Sequence, residues 1–212
     1  MVSDRENVLF QLDETYRVAR EIPVELIDLE GVAAGAGLIG VASEPGVFAT
    51  FSADTGEATG EQWDLAQWII GDPEKKGLEG ACWRAGSWVV VTEKPGRMLS
   101  LRSGKVELLT DMQDIDGFPV EEDCSGLLWD TARELYWICS HEGATLYLYD
   151  AARGCVVEAL PLVLPAKLIK KKKKKKKKKN NEIRQAEGIA IDGDRLLVAC
   201  DRRSTIYEFR IE

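Results

Sequence analysis

Four short stretches decide how this chain is read: Leu29-Glu30-Gly31-Val32, Leu78-Glu79-Gly80-Ala81, Cys124-Ser125-Gly126-Leu127 and Ala186-Glu187-Gly188-Ile189, each opening an apolar run. Fourteen residues beyond the three glutamates stand Glu44, Glu93 and Asp201, each closing a second apolar run; the third copy carries Ser140-His141-Glu142 there. The four glycines are 49, 46 and 62 residues apart, and removing ten consecutive lysines from the last interval leaves 52. A period near 48 fits repeated small sheets rather than helical solenoids or a doubly wound sheet.

The second copy shows the grammar of one unit. Glu79-Gly80 opens ACW, Ala85-Gly86-Ser87 turns, WVVVT extends, Lys94-Pro95-Gly96 turns, RMLSL extends, Ser103-Gly104 turns and KVELL extends. Four strands joined by tight turns make one up-and-down sheet. The first copy ends in QWDLAQWII, a strand or a single helical turn, and the fourth has only three strands. The expected fold is an all-β β-propeller, one domain over residues 1–212 with four visible repeats: four blades, or five with the N-terminal one cut short. The strand at Tyr16 to Val24 is expected to complete the last blade, which would leave no end sheet exposed.

The bulk numbers narrow the function. Net charge is −8, but Lys170 to Lys179 supply ten of the 28 basic residues. The rest sets 18 basic against 36 acidic residues, a strongly acidic body suited to cations and unsuited to duplex DNA. The lysine tract, in a loop insertion expected to be disordered over residues 166–182, is a solvated low-complexity segment or a polyanion-binding or nuclear-targeting one. Five cysteines without a C-x-x-C pair read as reduced structural thiols. The N-terminal residues are too charged for a signal peptide and no run reaches about 18 apolar residues, so the default is a cytoplasmic monomer without a membrane span.

Gly35-Ala36-Gly37-Leu38-Ile39-Gly40 matches G-x-G-x-x-G, but it leads into a strand and a Pro-Gly turn, so a dinucleotide site is rejected. The acids carry the stronger signal. If each acid–glycine step starts an inner strand and the second acid ends its antiparallel neighbour, Glu30, Glu44, Glu79, Glu93, Glu142, Glu187 and Asp201 converge on one end of the central channel. Clustered carboxylates repel unless a cation or hydrogen-bond donors intervene, and an oxygen-only set favours Ca²⁺ or Mg²⁺. The alternative is that each acid accepts backbone N–H groups, recurring because the blades recur. Ser125 and His141, the sole histidine, fall at the same mouth, where His141 is either a general acid/base or a hydrogen-bonded turn residue. The tryptophans at 83, 88, 129 and 137 are expected to fill space between blades.

The ordered set KGLEGACWRAGSWVVVTEK, DCSGLLWDTARELYWICSHE and QAEGIAIDGDRLLVACD resembles the SdiA-regulated (YjiK-like) propeller family, with its F-E-G-L-A, D-x-S-G-L-x-x-D and P-Q-A-E-G-I-A steps. The resemblance spans roughly residues 8 to 211 and implies a propeller with a candidate calcium site; it transfers no catalytic residues. It also implies one further N-terminal repeat and, for many members, an envelope location reached through a signal or anchor that the sequence here lacks; the lysine tract is foreign to the pattern. The expected function is a binding or interaction scaffold with an acidic, calcium-binding channel mouth, its small-molecule or protein ligand unidentified. The alternative is a metal-dependent hydrolase of lactonase or phosphoesterase type.

Overall fold

The computed structural model describes residues 1–3, 6–71, 76–164, 182–183, 185–201 and 205–211. They form five antiparallel sheets taken up one after another along the chain. Blade 1 holds β1 (Val2–Ser3), β2 (Val8–Leu12) and β3 (Val18–Pro23). Blade 2 holds β4 (Leu29–Gly35), β5 (Leu38–Ser43), β6 (Val47–Ser52) and β7 (Ala58–Asp64). Blade 3 holds β8 (Leu78–Arg84), β9 (Ser87–Thr92), β10 (Arg97–Arg102) and β11 (Lys105–Asp111). Blade 4 holds β12 (Gly126–Asp130), β13 (Leu135–Ser140), β14 (Thr145–Asp150) and β15 (Cys155–Pro161), and blade 5 holds β16 (Ala186–Asp192), β17 (Arg195–Cys200) and β18 (Thr205–Arg210). The fold is a five-bladed β-propeller arrangement, the larger of the two counts the repeats allow.

The strand expected to complete the last blade does not do so. β3 pairs with β2, Leu9 opposite Ile22 and Phe10 opposite Glu21. Two local causes hold it there. The turn between them is closed by Asp13, whose Oδ1 accepts from the amides of Thr15 and Arg17 at 2.7 and 3.0 Å. Leu9, Ile22 and Val24 are then buried against Leu29, Val41 and Phe51 of blade 2. A short loop closes at lower entropic cost than a connection across the molecule. Measured against the complete blades, blade 1 lacks the strand that starts a unit and, among the described residues, blade 5 lacks the one that ends it.

QWDLAQWII resolves into both of its readings: β7 runs to Asp64, and a 3-10 turn follows at Ala66–Trp68, its first amide donating to Asp64 Oδ1 at 3.0 Å. The G-x-G-x-x-G stretch is a β-hairpin turn, with Ala36 and Gly37 at φ 54° and 76° as a type I′ turn requires. The blades meet through four buried clusters, one for each consecutive pair. Trp88 lies in the cluster joining blades 2 and 3, and Trp137 in the one joining blades 4 and 5. The five thiols are free, four of them buried. Of the lysine-rich insertion only Glu182 lies among the described residues; it bridges to Val163, and Ile183 N donates to Leu162 O at 2.8 Å. No helix among the described residues is long and apolar enough to cross a membrane.

Candidate functional site at the channel mouth

The acid–glycine step is a β-bulge. Leu29 pairs with Ser43 and Gly31 with Ala42, so Glu30 is the extra residue; the same slip occurs at Glu79-Gly80 and at Glu187. A bulge twists its strand and turns the extra side chain out of the pleat. Glu44, Glu93 and Asp201 follow the last residues of β5, β9 and β17, and their amides donate to the carbonyls of Asp28, Gly77 and Gln185 at 2.8, 3.0 and 3.1 Å. Both acids of each unit therefore stand at the same end of the blades, as the spacing predicts.

The glycines explain why the bulges lie side by side. A methyl group on Gly31 would collide with the carbonyl of Glu79, one on Gly80 would stand 2.5 Å from Leu127 N, and one on Gly126 2.9 Å from Glu187 O. Each inner strand thus touches the next backbone to backbone at its acid–glycine step. Such an approach has no room for Cβ.

Glu79 sits deepest in the resulting acidic field. Burial, then the charges of Glu30, Glu93, Glu44 and Glu187, push its carboxyl well above the usual range. Glu44 is raised by burial, Asp28 and Glu93; Glu93 is raised by burial and Asp123, with Lys76 and His141 opposing. Asp201 holds the equivalent place but is exposed, and it is not among the charges that weigh most on Glu79 or His141.

The third blade-start departs from this scheme. Ser125 is buried, and its hydroxyl donates to Ala186 O at 2.7 Å, tying blade 4 to blade 5. His141 takes the slot of the second acid, since Ser140 is the ladder equivalent of Ser43 and Thr92. Its Nδ1 lies 2.8 Å from Oδ2 of Asp123, a contact that is an ion pair when the imidazole is protonated. Asp123 is fully buried, and its Oδ1 accepts from Ser140 Oγ at 2.8 Å and from Glu142 N at 3.0 Å. Burial opposes its charge, but His141, Ser140 and the Glu142 amide prevail and hold it at about 2. In return Asp123, with Glu187 and Glu142 adding, raises His141 above its ordinary value. Glu142 pairs with Lys94 at 2.8 Å, linking the hairpins of blades 3 and 4; Lys94 Nζ also reaches the carbonyl of Glu121.

Asp123 is the site residue that spacing does not reveal, because it lies two residues ahead of the Ser-Gly step rather than on it. The signal available was the Asp of the D-x-S-G-L pattern. Among the described residues, no three His, Cys, Asp or Glu side chains are placed to share one metal ion. The mouth gathers carboxylates from several blades, with one imidazole paired to Asp123 beside them.

Compared with known proteins, the chain has the fold of β-propellers. It superposes on the Cps50 (Swd1) β-propeller domain of Myceliophteria thermophila with a TM-score of 0.58 at 11% identity, covering 100% of this chain and 64% of that one. It is similar also to the glutaminyl cyclase of Myxococcus xanthus, TM-score 0.59 at 10% identity, over 86% of this chain and 65% of that one. It thus spans just under two thirds of either protein's length. No protein-family model and no curated protein matches the sequence.

Proposed function

We propose that this protein is a propeller scaffold of the SdiA-regulated type whose acid-lined mouth binds a positively charged group. The observation that carries the reading is Glu79, whose carboxyl is raised by burial and then by four surrounding glutamates from three different blades, a place where an arriving cation offsets both causes. Such an all-oxygen acidic set suits Ca²⁺ or the ammonium or guanidinium of a partner side chain. Exposed aliphatic residues on the blade-to-blade connectors at this end, Ile27, Ile70, Val120 and Val163, fit a protein partner that presents Lys or Arg among apolar side chains.

Calcium is tested first because its outcome is simple. Added CaCl₂ should raise the melting temperature, and Glu79→Gln combined with Glu187→Gln should remove the rise. If neither Ca²⁺ nor chelator shifts melting, calcium leaves the proposal and the cationic side chain remains, to be sought as salt-sensitive binding of Lys- or Arg-rich peptides lost in the same double variant. A hydrolase reading has one observation behind it, the half-buried His141 held by buried Asp123 beside the carboxylates. It requires turnover of lactone or phosphoester substrates that disappears in His141→Asn.

A further inference from the structure

We infer that the end of blade 3 opposite the acidic mouth binds the phosphoryl group of a small phosphate monoester, held between Arg84 and Arg102 over Ser87. The ladders bring these residues into one row. Arg84, the last residue of β8, stands opposite Ser87, the first of β9. Leu101 stands opposite Trp88, so Arg102 comes next to Ser87, and Lys105 of β11 stands opposite Arg102. Alternation puts the row on one face of the sheet. Cys82, Val89 and Met98 carry that face into the cluster with blade 4, while Trp88, Leu101 and Val106 turn to blade 2.

Charge singles the row out. The same ends of blades 4 and 5 also carry arginines, but each is paired with an aspartate of its own turn: Arg133 with Asp130 at 3.0 Å, Arg153 with Asp150 at 4.0 Å, and Arg195 with Asp192. The turns of blade 3, Arg84-Ala85-Gly86-Ser87 and Arg102-Ser103-Gly104-Lys105, hold no acid. Among the described residues no carboxylate pairs with Arg84 or Arg102. Arg84 is nevertheless held in place. Its guanidinium carbon lies over the Trp129 ring at 4.3 Å and the Tyr136 ring at 5.2 Å, and its Nη1 donates to Tyr136 Oη at 2.8 Å. A guanidinium fixed in this way keeps its remaining N–H donors in a set direction. Arg102 leans over the same hairpin, since a methyl group on Gly86 would stand 3.9 Å from its Nη2.

Two guanidinium forks with a serine hydroxyl between them match a phosphate dianion, whose charge and oxygens exceed what the single fork of a carboxylate pair satisfies. Lys105, farthest along the row, has Glu107 beyond it on the same strand, so the site is centred on the two arginines and Ser87. Asp54 and Glu57 in the β6–β7 turn of blade 2 and Glu134 in the β12–β13 turn of blade 4 add negative charge on either side at this end. A compact anion fits between these acids, whereas a nucleic acid or a long acidic chain would meet them.

The test titrates the full chain with phenyl phosphate by calorimetry at constant ionic strength. One saturable site is expected, weakened about tenfold in Arg102→Gln and about tenfold in Arg84→Lys, which keeps the charge but loses the fork. Arg153→Gln at the same end of blade 4, and Glu79→Gln with Glu187→Gln at the mouth, should leave the affinity unchanged. Benzoate should bind at least tenfold more weakly, and a phosphoserine peptide no more tightly than phenyl phosphate. The proposal is overturned if protein shown to be folded by circular dichroism does not bind phenyl phosphate at millimolar concentration, or if both arginine variants bind it as well as the unaltered chain. A loss as large in Arg153→Gln overturns it too, because binding then follows overall charge. Equal binding of benzoate overturns the phosphoryl assignment, and tighter binding of the phosphopeptide overturns the small molecule in favour of a protein partner.

Discussion

Glu79 holds its carboxylate where burial and four like charges both oppose ionisation. The sign of its effect on stability follows. A carboxyl whose folded value is raised binds a proton more readily in the folded chain, so stability falls as pH rises from about 4 through that raised value. Glu79→Gln removes the penalty and should stabilise the chelator-treated protein at pH 8 by about 1 kcal/mol, roughly 2–4 °C in melting temperature for a chain of this size. Near pH 3 the two proteins should melt together; a loss of stability at pH 8 would mean that Glu79 is compensated by groups other than those described. Asp123 and His141 behave oppositely. Asp123, held at about 2, contributes stability above the ordinary carboxylate range, lost as pH falls toward 2; His141, raised, contributes below about 6.5, lost as pH climbs through its raised value. Their pair therefore supports the fold most between about pH 4 and 6.5. Because the chain has one histidine, its imidazole NMR signals titrate without ambiguity. Asp123→Asn should bring that titration down to or below the ordinary value and cost about 2 kcal/mol at pH 5.5, less at pH 9.

At the scale of the element, the decisive feature is the bulge with its glycine. Gly80→Ala would press a methyl group onto Leu127 N of the neighbouring blade, a backbone that cannot rotate away. The expected cost is about 3 kcal/mol, at the upper end of overpacking penalties. Gly188→Ala should cost under about 1 kcal/mol, because its nearest neighbour is Ala199 Cβ at 3.2 Å within its own blade. Chemical denaturation of the two variants checks the contrast, and equal costs would remove the side-by-side strand contact from the explanation. These elements were legible in the sequence because period, turn residues and apolar runs are local, and the spacing of fourteen placed both acids at one end of a blade. The bulge was hidden: Glu30 and Gly31 look like two successive strand residues until the partner strand shows one residue opposite them. The Asp123–His141 pair was hidden for a related reason, since it joins residues 18 apart whose facing depends on the ladder. The pairing of β3 differs from the closing strand that symmetry suggests, because Asp13 and the Leu9–Ile22 contact decide it locally.

For the whole molecule the seam between blades 5 and 1 matters most. Blades 2, 3 and 4 are each clamped by a buried cluster on both faces, but blades 1 and 5 share clusters only with blades 2 and 4 among the described residues. Among the described residues, a lighter contact joins the two ends: the Arg195 guanidinium lies over the Tyr16 ring at 5.6 Å. Such a contact is worth about 0.5–1 kcal/mol when exposed, against about 1.5–3 kcal/mol for a single fully buried aliphatic side chain. The end blades should therefore open without the middle ones, each as a unit of its own. Native-state hydrogen exchange should show amides of β2–β3 and β17–β18 exchanging through openings of low free energy, while those of β9–β10 and β13–β14 exchange near the global limit. Tyr16→Ala should shift the end-blade openings by less than about 1 kcal/mol and leave the middle blades unchanged. Uniform protection across all five blades would mean that the ends are sealed as firmly as the interior.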